Sequence, residues 1–417
     1  MRIWILNHYA RSPDTPGGTR HYDLARELVK RGHKVNIFAS SFSHRTRKEE
    51  RLQGRQKYLT EGIDGVEFTW IKTFPYYKGN DWRRVVNMLS YGRRVVSLAG
   101  KLKEKPDIIL ASSPHPFAAL AGYILSKRKK AKFILEVRDL WPQTLVEIGG
   151  YSNKNPVVAL LRVLERFLYR RAKKIVVLLP EAPKYITGLG TLEDKIVYIP
   201  NGVSPELFFN TDIKPPEELS QTIADLKAKG KLVVGYTGAH GIANVLDTII
   251  EAARILQDGG TVNVHFLMVG DGPDKERLMT KAEKYGLDNL SFYSSIPKYA
   301  MPALLEAIDV AVRAGRKTAL SRYGVLPNKV FDYMASAKPI IWTNNSVANP
   351  VAEASCGISV APENPEQMAK AIVKLCSLSN NKRREMGMRG REYVMKYHSV
   401  PVLADRLLKV LEDGKSD

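Results

Sequence analysis

Apolar positions along the chain come in short unbroken runs separated by longer, periodic stretches. Arg2–Leu6 (RIWIL), HKVNIFAS (33–40), DIILASS (107–113), KFILEVRD (132–139) and KIVVLLP (174–180) are apolar at consecutive positions. That is the pattern of strands covered on both faces. Between them the period changes. After the polar loop NHYARSPDTPGGTR, Tyr22, Ala25, Leu28 and Val29 share one helical face that stops at Gly32. Strand and helix signals alternating in this way predict a parallel sheet with helices on both sides. A second series begins after the proline-containing connector TDIKPPEELSQT and runs KLVVGYTG, NVHFLMVGDG, LSFYSSI, AIDVAVRA, AKPIIWT and GISVAP.

The expected architecture is therefore α/β, with two Rossmann-like doubly wound domains. Residues 1–203 form the first domain and 204–400 the second, while residues 401–417 form a terminal helix that returns to the first domain. The charged segment SHRTRKEERLQGRQKYLT (43–60) has little apolar periodicity and is expected to be a mobile loop.

The length of 417 residues suits two domains. With 44% apolar and 26% charged residues the chain is of ordinary globular composition. Its two cysteines, Cys356 and Cys376, show neither a disulfide framework nor metal-ligand spacing, which suggests a reducing, cytoplasmic setting. No apolar run approaches a membrane span, and MRIWILNHYA reads as a buried strand rather than a signal peptide.

Charge changes the picture more. The net charge is +21, and it is uneven. Residues 1–203 hold 37 Lys and Arg against 18 Asp and Glu, whereas residues 204–417 hold 27 against 25. The first half thus suits an anionic surface: nucleic acid, lipid headgroups or a diphosphate-bearing substrate.

Candidate chemistry sits where strands run into helices. Gly238-Ala239-His240-Gly241 lies between an apolar run and a helical pattern, where backbone N–H groups and a helix N-terminus would favour phosphate. A plain tight turn is the alternative. Gly17-Gly18 repeat the arrangement after the first strand, without a dinucleotide or P-loop fingerprint. In RYGVLPNKVFDYMASAKPIIW (322–342), Lys329 and Asp332 share one helix face, a cation for diphosphate and a carboxylate for a ribose diol, or else a surface ion pair. Arg138 and Asp139 follow an apolar strand at the end where α/β proteins bind ligands, and His115 stands at the end of the strand before it. Asp-x-Asp, Ser-His-Asp and H-E-x-x-H signatures are missing from the sequence.

Taken in order, PGGTRHYDLARELVKRGHKV, EVRDLWP, IPNGV, YTGAHG, MVGDGP and LPNKVFDYMASAKPII resemble the GT-B glycosyltransferases, in particular retaining enzymes of glycosyltransferase family 4 and, within it, the bacterial WbuB-like group associated with surface polysaccharides and L-fucosamine transfer. The resemblance implies the GT-B fold, with the two domains facing across a cleft. It implies a nucleotide-sugar donor held mainly by the second domain, UDP-linked and carrying an N-acetylated amino sugar, and a lipid-linked glycan acceptor held mainly by the first. It implies no cofactor beyond the UDP-sugar substrate, no metal, and retention at the anomeric carbon, for which front-face attack is the working mechanism. O-antigen or capsule synthesis is the implied setting.

By position, Gly17, Gly18, Gly238 and Gly241 would lie at the diphosphate. Asp332 would take the place of the glutamate that holds ribose, and Ser295 and Ile296 would fall at the base-binding turn. Arg138 stands where relatives carry a histidine near the transferred sugar, with Asp139 after it. Ala239 and Asn244 stand where the family has Arg and Lys, and Gly324 where it has the first of two glutamates. Lys329 is then the expected main cation, helped by Arg316, Lys317 or Arg322, with His240 as a further donor.

The basic first half suits peripheral attachment to the inner face of an anionic cytoplasmic membrane through Arg83, Arg84, Arg93 and Arg94, with Trp82, Leu89 and Tyr91 at the interface. Nucleic acid is not expected as a partner, since no recognisable binding module occurs. A sugar-nucleotide epimerase or hydrolase on the same fold, and a non-catalytic nucleotide-sugar or nucleic-acid binding protein, are the alternatives.

Overall fold

The structure, a computed structural model, describes residues 1–15, 17–44, 46–77, 82–209, 214–261, 263–324 and 326–413. It forms two compact units. The first comprises Met1–Ser12, Gly18–Pro200 and Val400–Asp417, and the second Pro13–Gly17 and Asn201–Ser399. Thr211–Ile213 of the connector lie outside the described residues.

The first unit is built on the strands β1 (Arg2–Leu6), β2 (Lys34–Ser40), β3 (Tyr58–Ile63), β4 (Val66–Ile71), β5 (Ile108–Ser112), β6 (Lys132–Val137), β7 (Lys174–Val177) and β8 (Ile196–Tyr198). Their order is β3-β4-β2-β1-β5-β6-β7-β8, parallel except for the antiparallel β3–β4 pair. The period of two assigns the faces. Ile3 and Ile5 point to one side, where Ala25 and Leu28 of the Arg20–Lys30 helix meet Leu403, Leu407 and Leu411 of the terminal Val400–Asp413 helix. On the other side the helices Trp82–Lys101, Pro116–Lys129 and Pro156–Arg171 lie side by side. Gly122 permits this approach, because a Cβ there would stand 2.3 Å from that of Ala111.

The segment 43–60 is not the loose loop expected from its charge. Phe42 bridges Glu49, Leu52 is buried, and from Tyr58 the chain runs as the edge strand β3. Its charges are solvated and partnered: the Arg51 guanidinium lies 4.8 Å from the centre of the Trp70 ring. A half-exposed antiparallel edge needs few apolar residues, which is why its periodicity is weak.

The second unit carries β9 (Leu232–Thr237), β10 (Val264–Val269), β11 (Leu290–Tyr293), β12 (Val310–Arg313), β13 (Ile340–Thr343) and β14 (Gly357–Val360). All pair in parallel, in the order β11-β10-β9-β12-β13-β14. Two apolar cores cover the sheet, one on either side. Val233, Leu267 and Ala311 enter one, and Val234, Met268 and Val312 enter the other. In each sheet the order reverses once among the parallel strands, at β1/β5 in the first unit and β9/β12 in the second. A doubly wound sheet opens a ligand crevice outside the carboxyl ends of its strands at such a point.

Candidate active site

At the switch point of the second unit, β9 ends at Thr237 and the chain turns through Gly238, whose φ is +137°. The next loop lies against it. His240 N–H donates to the Asp271 carbonyl and Asp274 N–H donates to the His240 carbonyl, both at 3.0 Å. Glycine is required for this closeness. A Cβ on Gly270 (φ +155°) would fall 1.8 Å from the Gly238 oxygen, and one on Gly272 2.2 Å from the His240 oxygen.

Lys329 reaches into this loop from the Asn328–Ala335 helix. Its Nζ donates to Tyr236 Oη at 2.8 Å and sits 4.2 Å from the centre of that ring. A Cβ on Gly238 would lie 2.6 Å from the same ammonium. Tyr236 Oη in turn donates to the Ala239 carbonyl at 2.8 Å, so one phenol pins both the lysine and the loop. Tyr333 Oη accepts the Thr237 N–H at 2.9 Å. Beside them Arg313 donates to the Thr343 carbonyl at 3.0 Å. Burial lowers both cations: Arg313 to about 10, and Lys329 to about 7 with the Arg313 charge adding to the effect. Among the described residues no carboxylate is bonded to Lys329, and the i,i+3 pair with Asp332 does not form. Asp332, on the same helix, is partly buried.

The helix expected to start at Gly241 does not start there. A short turn, Ile242–Asn244, is followed by Val245 in the left-handed region (φ 46°), and the helix runs Asp247–Asp258. Asp247 occupies its first turn, bonded to Arg277 and Lys281, so any anion held by the loop is met by loop N–H groups and not by this helix. Asn244 braces the loop, its Nδ2 donating to the Ala239 carbonyl at 2.8 Å. The His240 ring is fully buried and neutral, burial lowering it to about 4, and it brings no positive charge. Among the described residues neither of its ring nitrogens has a hydrogen-bond partner. The Ser295 N–H donates to Asp271 Oδ2 at 2.7 Å, and Ile296 is buried in the core below. Lys317 is exposed, its backbone N–H donating to Glu363 Oε1 at 3.0 Å, and Arg316 and Arg322 are exposed as well.

In the first unit a polar network occupies the carboxyl ends of β1 and β6. Arg20 Nε donates to Glu136 Oε1 at 2.9 Å, and Arg20 also donates to the carbonyls of Ile199 and Pro200. His21 Nε2 lies 2.6 Å from Glu136 Oε2, and its Nδ1 lies 2.8 Å from Asn7 Nδ2. Burial alone would raise the Glu136 carboxyl, but His21 and Arg20 hold it well below the ordinary carboxylate range. Arg138, two residues further and just past the end of β6, is partly buried, and Asp139 is exposed. His115 is structural: its Nδ1 accepts the Ala118 N–H at 3.3 Å as the cap of the Pro116–Lys129 helix, and its Nε2 meets His8 Nδ1 at 2.7 Å. Of the two glycines in PGGTR, Gly17 (φ +134°) groups with the second unit and Gly18 with the first. Both are exposed, and the helix begins at Arg20. Tyr91 is no interface residue. It is wholly buried and donates to the Phe38 carbonyl at 2.7 Å, whereas Trp82 and Leu89 are exposed.

Sequence reasoning missed Tyr236, Tyr333, Arg313, Arg20, His21 and Glu136. Two of them carried a signal, since Glu136 interrupts the apolar run of KFILEV and Arg313 ends that of VAVR.

Two parallel-sheet α/β units, the second with a glycine-built loop and two buried basic side chains at its switch point, are those of the GT-B fold. Residues 17–202 match the family described as Glycosyl transferase 4-like domain, and residues 221–393 match Glycosyl transferases group 1. Between them these models span most of the chain, which belongs to the glycosyltransferases. Among curated relatives, Escherichia coli (strain K12) has a protein named "Putative colanic acid biosynthesis glycosyl transferase WcaI", 24% identical and aligned over 87% of this chain and 89% of its own length. The solved sucrose-phosphate synthase of Thermosynechococcus elongatus shares the fold with a TM-score of 0.74 at 16% identity, over 99% of this chain and 98% of its own. Anabaena HepE, solved in complex with UDP-glucose, does so with a TM-score of 0.69 at 16% identity, over 99% of this chain and 100% of its own. Among the described residues no helix is long and apolar enough to cross a membrane, and no cluster of His, Cys, Asp and Glu is placed to hold a metal ion.

Proposed function

We propose that this chain is a retaining glycosyltransferase that moves an N-acetylated amino sugar from a UDP-linked donor to a lipid-linked glycan in surface polysaccharide synthesis, O-antigen or capsule, at the inner face of an anionic cytoplasmic membrane. The observation that carries the reading is the Gly238–Gly241 loop with the Lys329 ammonium against it and, among the described residues, no carboxylate bonded to that charge. Nucleotide diphosphate is the ligand such a cradle suits. Loop N–H groups and one buried cation stabilise the charge that grows as the sugar–phosphate bond breaks. The UDP-glucose bound to HepE supports the choice of donor, and the similarity to WcaI, named for colanic acid biosynthesis, supports polysaccharide synthesis.

In this reading Lys329 meets the diphosphate, with Lys317, Arg316 or Arg322 approaching from the exposed side. Asp332 accepts from the ribose hydroxyls. Asn244 and Gly241 keep the loop open, and the turn at Ser295 and Ile296 takes the base. Gly17 and Gly18 are assigned to the phosphates, and Arg138 and Asp139 to the transferred sugar and the acceptor hydroxyl. With loop dipoles and Lys329 supplying the stabilisation, transfer is expected to proceed in EDTA. Retention then follows from front-face attack, with no glycosyl-enzyme intermediate.

A thermal-shift series of nucleoside diphosphates and UDP-sugars, followed by transfer to lipid-linked acceptors, tests the reading. Asp332→Ala should weaken nucleotide binding and Lys329→Ala should slow transfer. Normal behaviour of both variants, or donor consumption that ignores the acceptor, would refute it.

A further inference from the structure

The excess charge of the first half is not spread over its unit. The helices Trp82–Lys101, Pro116–Lys129 and Pro156–Arg171 form one layer on the sheet and together carry twelve Lys and Arg. The one acid among them is Glu165, buried and bonded to Tyr169 and Tyr185. On the opposite side the Arg20–Lys30 and Val400–Asp413 helices carry five basic and five acidic residues, and balance.

The same layer exposes apolar side chains. Leu160 is 69% exposed, Val163 67% and Trp82 65%, with Val157, Val85 and Leu89 exposed beside them on their own helices. Water-facing leucine and valine with Arg166, Arg170 and Arg171 further along the same helix have no role in the core.

We propose that this three-helix layer docks on an anionic lipid bilayer. The tips of Val157, Leu160, Val163 and Trp82 enter the headgroup region, and Arg93, Arg94, Arg166 and Arg170 pair with headgroup phosphates. The proposal deepens the lipid-linked acceptor of the proposed function, on which it rests, by naming the surface that meets the membrane. A second copy of the chain fits less well, because a symmetric contact would set two arginine-rich layers, whose one acid is the buried Glu165, against each other. Nucleic acid would satisfy the arginines but leave the aliphatic tips without a partner.

The test is co-sedimentation of the full chain with vesicles of phosphatidylcholine alone and of phosphatidylcholine mixed with phosphatidylglycerol. Binding to the mixed vesicles only, falling with salt, is expected. Arg166→Glu/Arg170→Glu/Arg171→Glu should weaken it about a hundredfold, and Leu160→Ser/Val163→Ser should weaken it as well. Arg406→Glu/Lys409→Glu on the balanced side should leave it unchanged. Equal binding of wild type and both layer variants would overturn the proposal. So would a dimer in ultracentrifugation abolished by Leu160→Ser/Val163→Ser, or tighter binding to single-stranded RNA than to the mixed vesicles. A UDP-induced thermal shift measured on every variant separates the two readings. Its absence in wild type counts against the donor site, while its retention in a variant that leaves the membrane shows that the docking surface alone was removed.

Discussion

On the proposed reading, Lys329 would make binding of a nucleoside diphosphate a proton-linked event. Burial and Arg313 lower its ammonium to about 7, so near pH 7 about half of the free protein carries the charge there. A diphosphate at Gly238 would supply the missing counter-charge and return the lysine toward its ordinary range, taking up about half a proton per UDP at pH 7. Above pH 7 UDP binding should weaken by up to about tenfold per pH unit, roughly thirtyfold in all, and below pH 6 the contribution of this lysine should level off. His240, lowered to about 4, does not titrate in this window.

Lys329→Met removes one charge-assisted hydrogen bond of about 2 kcal/mol, roughly thirtyfold in affinity at pH 6, and the gap between variant and wild type should close by pH 9. Stability should move the other way. Below pH 7 the folded and unfolded chains both hold the proton and the cost of a buried charge is fully present. From pH 7 toward 10.5 the unfolded chain holds more protons, so stability rises with pH. Lys329→Met should therefore raise Tm more at pH 6 than at pH 9. Calorimetry of UDP binding in two buffers of different ionisation enthalpy counts the protons directly. An uptake of zero in wild type, or an unchanged pH slope in Lys329→Met, would refute the assignment of this lysine to the diphosphate.

Gly270→Ala should cost several kcal/mol and abolish UDP binding, since its Cβ would fall 1.8 Å from the Gly238 oxygen at a φ of +155°; a Tm and a UDP-induced shift like those of wild type would contradict the loop geometry. Burial raises the Glu165 carboxyl to about 7, so between pH 4.5 and 7 the folded chain holds more protons and stability falls as pH rises. In Glu165→Gln the Tm difference between pH 5 and pH 8 should flatten, as thermal melts at the two values will show. Glu136→Gln should destabilise by about 3–5 kcal/mol, because Arg20 and His21 lose the carboxylate they share in the interior; chemical denaturation at pH 7 measures it.

The strands were legible because both faces of a parallel sheet are covered, which forces apolar residues at successive positions: IILAS, KFILEV and LVVGYT could hardly be placed elsewhere. The turn at Gly238 after β9 and the helix that carries Lys329 were legible too, since glycine after an apolar run and Pro327 before a periodic stretch mark such places. Sequence by itself therefore determined two doubly wound units, the glycine loop and the excess of positive charge. It did not reveal that Val245 turns left-handed and postpones the helix to Asp247, nor that Tyr236, spaced as an ordinary core residue, ties Lys329 to the Ala239 carbonyl. Glu136 and Arg20 are 116 residues apart in the chain and 2.9 Å apart in space. Only the tertiary structure decided these, for one physical reason. Periodicity reports which side of an element is covered, whereas the charge state and partner of a buried polar group depend on distant segments that packing brings within hydrogen-bond reach. The three basic helices, whose one acid is the buried Glu165, show the same division: their composition was plain along the chain, but only the winding of the sheet laid them side by side.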